Sequence, residues 1–434
     1  MFNVNDIDLD NASDDLENSG NPSEPDVSDA IKSLEITITD EDKLKYGSKK
    51  KGPKAKRLTP SDKELESMTD DEVAASAETS PYDQIKRLYD EFNSFLVDKT
   101  AIKEDSGVKC TIPTSLDVLD AVLGGGFAVG TLAQIIGQSG GGKSMLAMQF
   151  LGSAQRHFKG DVLMGCLDSE ESITTIRLSN LGVKYPKIKP YNDMTVEKVF
   201  KYIEGLCLYK DMKNIIDKPS VVLWDSVANT QTMKEREVDD PNSLIGYRGR
   251  LLSLLIPKYV SKISHYNIAL ICINQLRDAV QIGPMTHAKD LNFMQNGKTI
   301  PGGNALRFNS FHLLNMKVDG GATNKLPEKL GIDGIVVEVK AIKNKLFSPN
   351  IPITLIGSFV TGFSNFWTNY SFLCDNGYIN TGAWNSLVGS PNIKWRSKEA
   401  ENQYKEDPAF KEAFDNTVKS AIEKEIIIPN SVED

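Results

Sequence analysis

The stretch GQSGGGKS at residues 137–144 follows the apolar run TLAQII and leads into SMLAMQFLGSAQRHF. Four glycines ahead of a lysine are poor core material, but the spacing G-x-x-x-x-G-K-[ST] between a strand and a helix is a phosphate cradle. The glycines let backbone N–H groups crowd around a di- or triphosphate, Lys143 reaches its β/γ-phosphates, and the Ser144 hydroxyl ligates Mg²⁺. The helix that follows turns its positive N-terminus to the same anion. The candidate nucleotide-binding residues are Gly137, Gln138, Ser139, Gly140, Gly141, Gly142, Lys143, Ser144 and Met145. Such a loop implies an α/β fold with a covered, mostly parallel sheet.

Other apolar runs agree with that fold. DVLMGCL, SVVLWD, IALICIN, SFHLLNM and GIVVEVK are nearly all apolar, as suits central strands of a parallel sheet covered on both faces. SVVLWDS ends its strand in Asp225, the expected partner of Ser144 at the magnesium ion. DVLMGCLDSEES ends in Asp168, Ser169, Glu170 and Glu171, and Glu170 is the candidate base for activating water. Helix capping by the same acidic cluster is the alternative, and both can hold for different residues. Gln275, at the end of IALICINQ, can hydrogen-bond a γ-phosphate.

Composition narrows the setting. At 434 residues and 40% hydrophobic content the chain can build a substantial core. Five scattered cysteines and four histidines make neither a disulfide framework nor a zinc site, so a reducing, cytoplasmic compartment is expected. The N-terminus reads as no signal peptide, and there is no 18-residue apolar run, so no membrane partner is expected. The net charge of −9 is a property of one end: residues 1–45 carry 13 Asp/Glu against 3 Lys/Arg, about −10, leaving the rest near +1. A balanced body with local basic grooves is compatible with nucleic acid.

Along the chain, residues 1–78 are expected to form a disordered acidic tail. Within it KKKGPKAKR, residues 49–57, reads as a solvated linker, a phosphate-gripping arm or a targeting signal for a nuclear or phage compartment. Residues 79–110 form a leading segment whose Ile85, Leu88, Phe92 and Phe95 fall at helical spacing, an amphipathic helix available for oligomerisation. The ATPase core is expected over 111–365 and a small helical C-terminal region over 366–434, where Phe410, Phe414, Val418 and Ile422 recur every four residues.

Taken in order, these blocks resemble the RecA-type homologous recombinases. TIPTSLDVLDAVLGGGFAVGTLAQIIGQSGGGKS, LDSEES, LWDS, INQLR, IPGGNALRF, VKAIKNKLFSP and GAWNSL match successive family blocks over roughly residues 80–425. The resemblance implies a RecA-like P-loop ATPase with an N-terminal polymerisation helix, using ATP and Mg²⁺. It makes Glu170 the activator of water and Gln275 the γ-phosphate sensor, and it carries Lys343 and Lys345 into the neighbouring subunit's ATP. Phe308 becomes the aromatic that packs across the subunit interface, an ordinary core position being the alternative.

Two DNA-binding loops are likewise implied, at about 232–250 and 277–304. Ser243, Ile245, Gly246 and Arg250 fall on contact positions of the first; Arg277, Gly302, Gly303 and Asn304 belong to the second. Acidic Glu235, Glu237, Asp239, Asp240 and Asp278 interrupt them. On the adenine side the family's Asp and Tyr align with Thr174 and Arg177, and a further Tyr with Ile356; Arg177 can stack on the base. The long acidic tail departs from the family pattern and points to a phage or mobile-element version.

The expected function is that of an ATP-dependent recombinase forming helical homo-oligomeric filaments on single-stranded DNA and pairing it with homologous duplex DNA. A RecA-fold hexameric helicase or translocase, and a weakly catalytic paralogue modulating filaments, are the alternatives.

Overall fold

The computed structural model describes residues 108–184, 190–238, 244, 246–278, 298–318 and 334–430. The tail 1–78 with its basic cluster, and the segment 79–110 apart from its last residues, lie outside the described residues.

A short antiparallel pair, β1 (Thr111–Ile112) and β2 (Phe127–Ala128), brackets helix α1 (Asp117–Leu123). Strands and helices then alternate: β3 (Leu132–Gly137), α2 (Lys143–His157), β4 (Leu163–Asp168), α3 (Thr175–Asn180), β5 (Pro190–Tyr191), α4 (Val196–Lys213) and β6 (Ser220–Asp225). Next come α5 (Met233–Glu237), α6 (Tyr247–His265), β7 (Ile268–Gln275), the pair β8 (Arg277–Asp278) and β9 (Lys298–Thr299), and α7 (Asn304–Asn309). β10 (His312–Val318), β11 (Ile335–Asn344), β12 (Pro352–Ser358) and β13 (Gly362–Phe363) complete the main sheet. Beyond it lie α8 (Asn365–Asp375), β14 (Ile379–Asn380), β15 (Asn385–Leu387), β16 (Ser390–Trp395), α9 (Ala400–Glu406) and α10 (Pro408–Ile422).

Among the described residues nine strands form one sheet in the order β13-β12-β11-β10-β3-β7-β6-β4-β5. From β10 to β5 every neighbouring pair is parallel. GIVVEVK, grouped by its apolar run with the parallel strands, instead runs antiparallel to both neighbours as part of β11. An apolar run reports burial of both faces, not strand direction.

The run SVVLWD shows why alternation is missing. Val221 and Leu223 enter the cluster that holds Leu146, Phe150 and Ile271, whereas Val222 and Trp224 enter the one that holds Phe200, Leu251 and Tyr259. Successive side chains point to opposite faces, and helices cover both. At the closed end of α4, fully buried Lys210 donates to the Lys218 carbonyl at 2.6 Å and to the Tyr266 carbonyl. Burial pushes its ammonium down to about 8.

The C-terminal helix forms where the four-residue period places it. Asp407 caps α10 by accepting from Ala409 N at 2.9 Å and Phe410 N at 3.2 Å, and Pro408 opens the helix. Phe410, Phe414 and Val418 are buried against Phe366, Trp367 and Trp395, at about 2 kcal/mol for each large side chain removed from water. The region also contains a three-stranded antiparallel sheet, β14-β15-β16, that the helical pattern does not announce. The 365/366 boundary falls at the start of α8, whose Phe366 and Trp367 share a cluster with Val336 and Ile356 of the main sheet. No helix among the described residues is long and apolar enough to cross a membrane.

Candidate functional site

Four adjacent parallel strands end together. Gly137 of β3 pairs with Gln275 of β7, and Asp168 of β4 pairs with Asp225 of β6, with β7 and β6 neighbours between them. The carboxyl edge of such a sheet is where ligands bind. A cleft of about 170 Å³ opens there, lined on its phosphate side by Ser139, Gly140, Gly141, Gly142, Lys143, Ser144 and Met145. Across from them stand Glu170, Asp225 and Gln275. Gly137 and Gln138 belong to the strand end and loop behind this lining; the Gln138 carbonyl accepts from Lys143 Nζ at 2.6 Å.

Helix α2 starts directly in the cleft. Its N-cap Gly142 has φ 76 and offers no side-chain cap, and a Cβ there would meet Phe363 Cζ at 2.9 Å, so a larger residue fits neither the backbone nor the space. The first amides of α2 therefore face the cleft as open donors for an anion. Burial lowers the Lys143 ammonium, with Asp225 and Glu170 opposing the shift.

Asp225 is buried, and neither carboxylate oxygen has a hydrogen bond of full geometry among the described residues. Burial pushes its carboxyl up to about 7; the Ser144 hydroxyl and Lys143 counter the rise, while Glu170 and Asp168 add to it. An under-satisfied carboxylate beside a hydroxyl is an oxygen donor set for a hard divalent cation. No group of three or more Asp, Glu, His or Cys able to hold a metal exists among the described residues. The pair thus fits Mg²⁺, which takes its other ligands from phosphate and water.

The acidic cluster divides its labour. Asp168 Oδ1 accepts from Glu170 N at 3.0 Å and Oδ2 from Ile173 N at 2.7 Å, so Asp168 builds the turn. Glu170 is left to face the cleft. Its Oε1 accepts from Ser226 Oγ at 2.6 Å, Asn229 Nδ2 at 2.8 Å and Gln275 Nε2 at 3.3 Å. A carboxylate held by three donors from two other strand ends is fixed in direction.

On the far side of the cleft Arg177 and Phe359 line the wall. Thr174 is occupied as the N-cap of α3, accepting from Arg177 N at 3.2 Å. Ile356 is not at the cleft. It is fully buried beside Val336 on the opposite side of β12, and Phe359, three residues on and 54% exposed, occupies the wall instead.

Of the expected DNA contacts, Ser243 and Ile245 lie outside the described residues, as do 279–297; Arg277 is described only as backbone of β8. Gly246 caps α6 with φ 77, and Arg250 N donates to its carbonyl at 3.0 Å. Gly302 and Gly303, with φ 91 and 74, deliver the chain into α7 at Asn304. A Cβ on Gly302 would lie 3.0 Å from Leu252 Cδ1, and one on Gly303 3.6 Å from Gly249 Cα. The exit of the second loop therefore packs on the helix that closes the first.

Phe308 is 64% exposed, not core, with the Arg307 guanidinium 4.8 Å from its ring centre. Lys343 Nζ donates to the carbonyls of Arg307 at 3.1 Å and Phe308 at 2.7 Å, and Lys345 Nζ lies 5.7 Å from the Phe311 ring centre. Burial lowers the Lys343 ammonium, and the cations Lys345 and Arg307 lower it further. None of Phe308, Lys343 and Lys345 lines the phosphate cleft of its own chain.

The family model of the RecA N-terminal domain matches residues 83–363. This chain belongs to the RecA family. Protein RecA of Thermus aquaticus is 32% identical over 241 residues, 55% of this chain and 64% of that protein, so under two thirds of the relative's length is spanned. Protein RecA of Syntrophus aciditrophicus is 26% identical over 338 residues, 77% of this chain and 91% of the relative. A solved structure of the RadB recombinase covers 58% of this chain and 98% of its own at 17% identity, with a TM-score of 0.40, a likeness that carries no inference.

Within this RecA-family chain, the site also uses residues that the sequence reading does not single out. Ser226 and Asn229 orient Glu170, and Phe359 stands where Ile356 was expected. Asn274 accepts from Gln275 N at 3.0 Å and donates to the Pro301 carbonyl at 2.8 Å, closing the base of the second loop. The only advance signal was adjacency: Ser226 follows Asp225, and Asn274 precedes Gln275.

Proposed function

We propose that this RecA-family protein is a DNA-dependent ATPase that assembles into helical filaments on single-stranded DNA and promotes pairing and strand exchange with a homologous duplex. The observation that supports this is that Phe308, Lys343 and Lys345 stand apart from the chain's own P-loop cleft. Glu170 is aimed at a P-loop cleft, while Phe308, Lys343 and Lys345 gather away from it, with Phe308 exposed. A head-to-tail contact would bring the second group to the cleft of the next subunit, and an interface of that kind does not close on itself.

In this reading ATP lies with its phosphates on the loop 137–144 and its base against Arg177. Ser144 and Asp225 would hold Mg²⁺, which would supply charge neutralisation at the phosphates. Lys143 binds the β/γ-phosphates, Glu170 takes the proton of the attacking water, and Gln275 registers the γ-phosphate. Lys343 and Lys345 supply positive charge in trans. Gly246 and Arg250 with Ser243 and Ile245, and Gly302, Gly303 and Asn304 with Arg277, grip DNA. Residues 1–78 serve as an appendage, 79–110 as the oligomerisation segment, 111–365 as the ATPase core and 366–434 as a C-terminal region.

Electron microscopy with single-stranded DNA and a non-hydrolysable ATP analogue tests the proposal. Helical filaments are expected. Closed hexamers that unwind a forked duplex would establish a helicase instead, and DNA binding without turnover or filaments would establish a modulator.

A further inference from the structure

Arg177 and Phe359 line the cleft beyond the phosphate loop and come from distant parts of the chain, Arg177 from α3 and Phe359 from the turn just past β12. The two elements touch. A Cβ on Gly362, at the start of β13, would lie 3.0 Å from Leu181 Cδ2, the residue that ends α3. The same hairpin is fastened to the helix that starts in the phosphate loop. Gln149 of α2 donates from Nε2 to the Phe363 carbonyl at 2.9 Å and accepts at Oε1 from Phe363 N at 2.8 Å. The Phe363 ring stands against Gly142. The wall is therefore held at a fixed distance from the phosphate cradle, as a ligand with phosphates at one end and a base at the other requires.

The other polar side chains of the cleft are committed. Ser139, Lys143 and Ser144 belong to the phosphate loop, Asp225 stands beside Ser144, and Gln275 donates to Glu170. Arg177 makes its hydrogen bonds among the described residues through its backbone, to Thr174 Oγ1 and from Leu181 N. Its guanidinium is left for a ligand, and a guanidinium carries donors and no acceptor. Phe359 offers an exposed ring face on which any base stacks, so it holds a base without choosing one. The choice falls to Arg177. Guanine presents two neighbouring acceptors, N7 and O6, which the guanidinium fork binds together; adenine presents N7 beside an N6 amino donor, which the fork cannot serve.

We propose that GTP is a second substrate of this cleft, used at least as well as ATP, and that Arg177 is the residue that sets the choice of base. The inference rests on the reading of the cleft as an ATPase site and is independent of filament assembly. The phosphate loop, Glu170 and the Ser144–Asp225 pair act on the triphosphate in the same way whichever purine is attached.

Steady-state phosphate release by the full-length protein with Mg²⁺, with and without single-stranded DNA, gives kcat/KM for GTP and for ATP on one preparation. The ratio of the two is then independent of the fraction of active protein. Wild type should give a GTP-to-ATP ratio of about one or more. Arg177→Gln replaces a fork of donors by an amide with a donor and an acceptor, the pattern that pairs with adenine N6 and N7; its ratio should fall by about fivefold or more. Phe359→Ala should weaken the use of both nucleotides and leave the ratio near that of wild type. Hydrolysis of neither nucleotide by wild type would sink the ATPase reading and this proposal with it. ATP turnover with ATP the better substrate overturns the proposal while the ATPase reading stands. So does a ratio that Arg177→Gln does not lower, or one that Phe359→Ala lowers as far, since the base would then be chosen by something other than the guanidinium.

Discussion

Gln275 Nε2 and Glu170 Oε1 are 3.3 Å apart, a hydrogen bond between the ends of two strands, β7 and β4, that are separated in the sheet by β6. The group that would read the γ-phosphate and the group that would activate water are therefore in contact. Replacing Gln275 by Ala leaves Glu170 with Ser226 and Asn229 as donors. DNA-independent ATP hydrolysis should fall by about fivefold to tenfold, the worth of roughly one hydrogen bond. Steady-state phosphate release measures this, and an unchanged rate would show that the contact does not matter to turnover.

Glu170→Gln preserves size and removes the proposed base. Hydrolysis should drop by about 10²- to 10⁴-fold, while a fluorescent ATP analogue binds within a few-fold of wild type. Wild-type turnover in this variant would take Glu170 out of the proposed role.

Gly302 has φ 91, and an added Cβ would lie 3.0 Å from Leu252 Cδ1 and 3.2 Å from Val227 Cγ1. Gly302→Ala combines a left-handed backbone with crowding and should cost about 1–2 kcal/mol. Calorimetry should show a midpoint lower by about 2–4 °C, and single-stranded DNA affinity should fall with it. A variant as stable as wild type would mean that the second loop's exit is not packed as described.

Phe308 is mostly exposed within the chain, so its truncation should leave the fold intact. Phe308→Ala is expected to keep the thermal midpoint of the unassembled protein while reducing assembly on DNA, measured by light scattering. Full assembly would place the subunit contact elsewhere.

Lys210 gives a dependence on pH. Its ammonium is lowered from 10.5 to about 8 in the folded protein, so above about pH 8 the unfolded chain binds more protons at this position. Stability contributed by this group therefore rises with pH between those values, by about 1 kcal/mol per unit at most. A neutral amine still has two hydrogens for the carbonyls of Lys218 and Tyr266. The stability of wild type relative to Lys210→Met, from denaturant unfolding at pH 7.5 and 9.5 (roughly spanning the window), should increase across this step. A difference that stays flat would show that Lys210 does not titrate there.

Local patterns were legible in the sequence: a loop whose spacing serves phosphate, strands ending in Asp225 and Gln275 or just before Glu170, and a four-residue period that becomes α10. Each is contained within a dozen or so consecutive positions. What could not be read is made between segments. Ser226 and Asn229 reach Glu170 only because β6 lies beside β4, and Asn274 meets Pro301 across the whole second loop. β11 has an apolar run like its neighbours, so its reversed direction leaves no local trace. Ile356 is paired inside the sheet with Val336, whereas Phe359 lies in the turn just past the end of β12 and lines the wall.

The strand order has a consequence for synthesis. The cleft draws on Lys143, Glu170, Asp225 and Gln275, and β3, which leads into the P-loop, is flanked by β7 and β10. A nascent chain emerging from the ribosome with its P-loop complete still lacks both neighbours of that strand. Residues 132–137 must wait until residues 312–318 are made before β10 can close the second side. Until β7 is made, β3 is an apolar strand with two open edges, and until β10 is made it keeps one, the state in which a chaperone has most to offer.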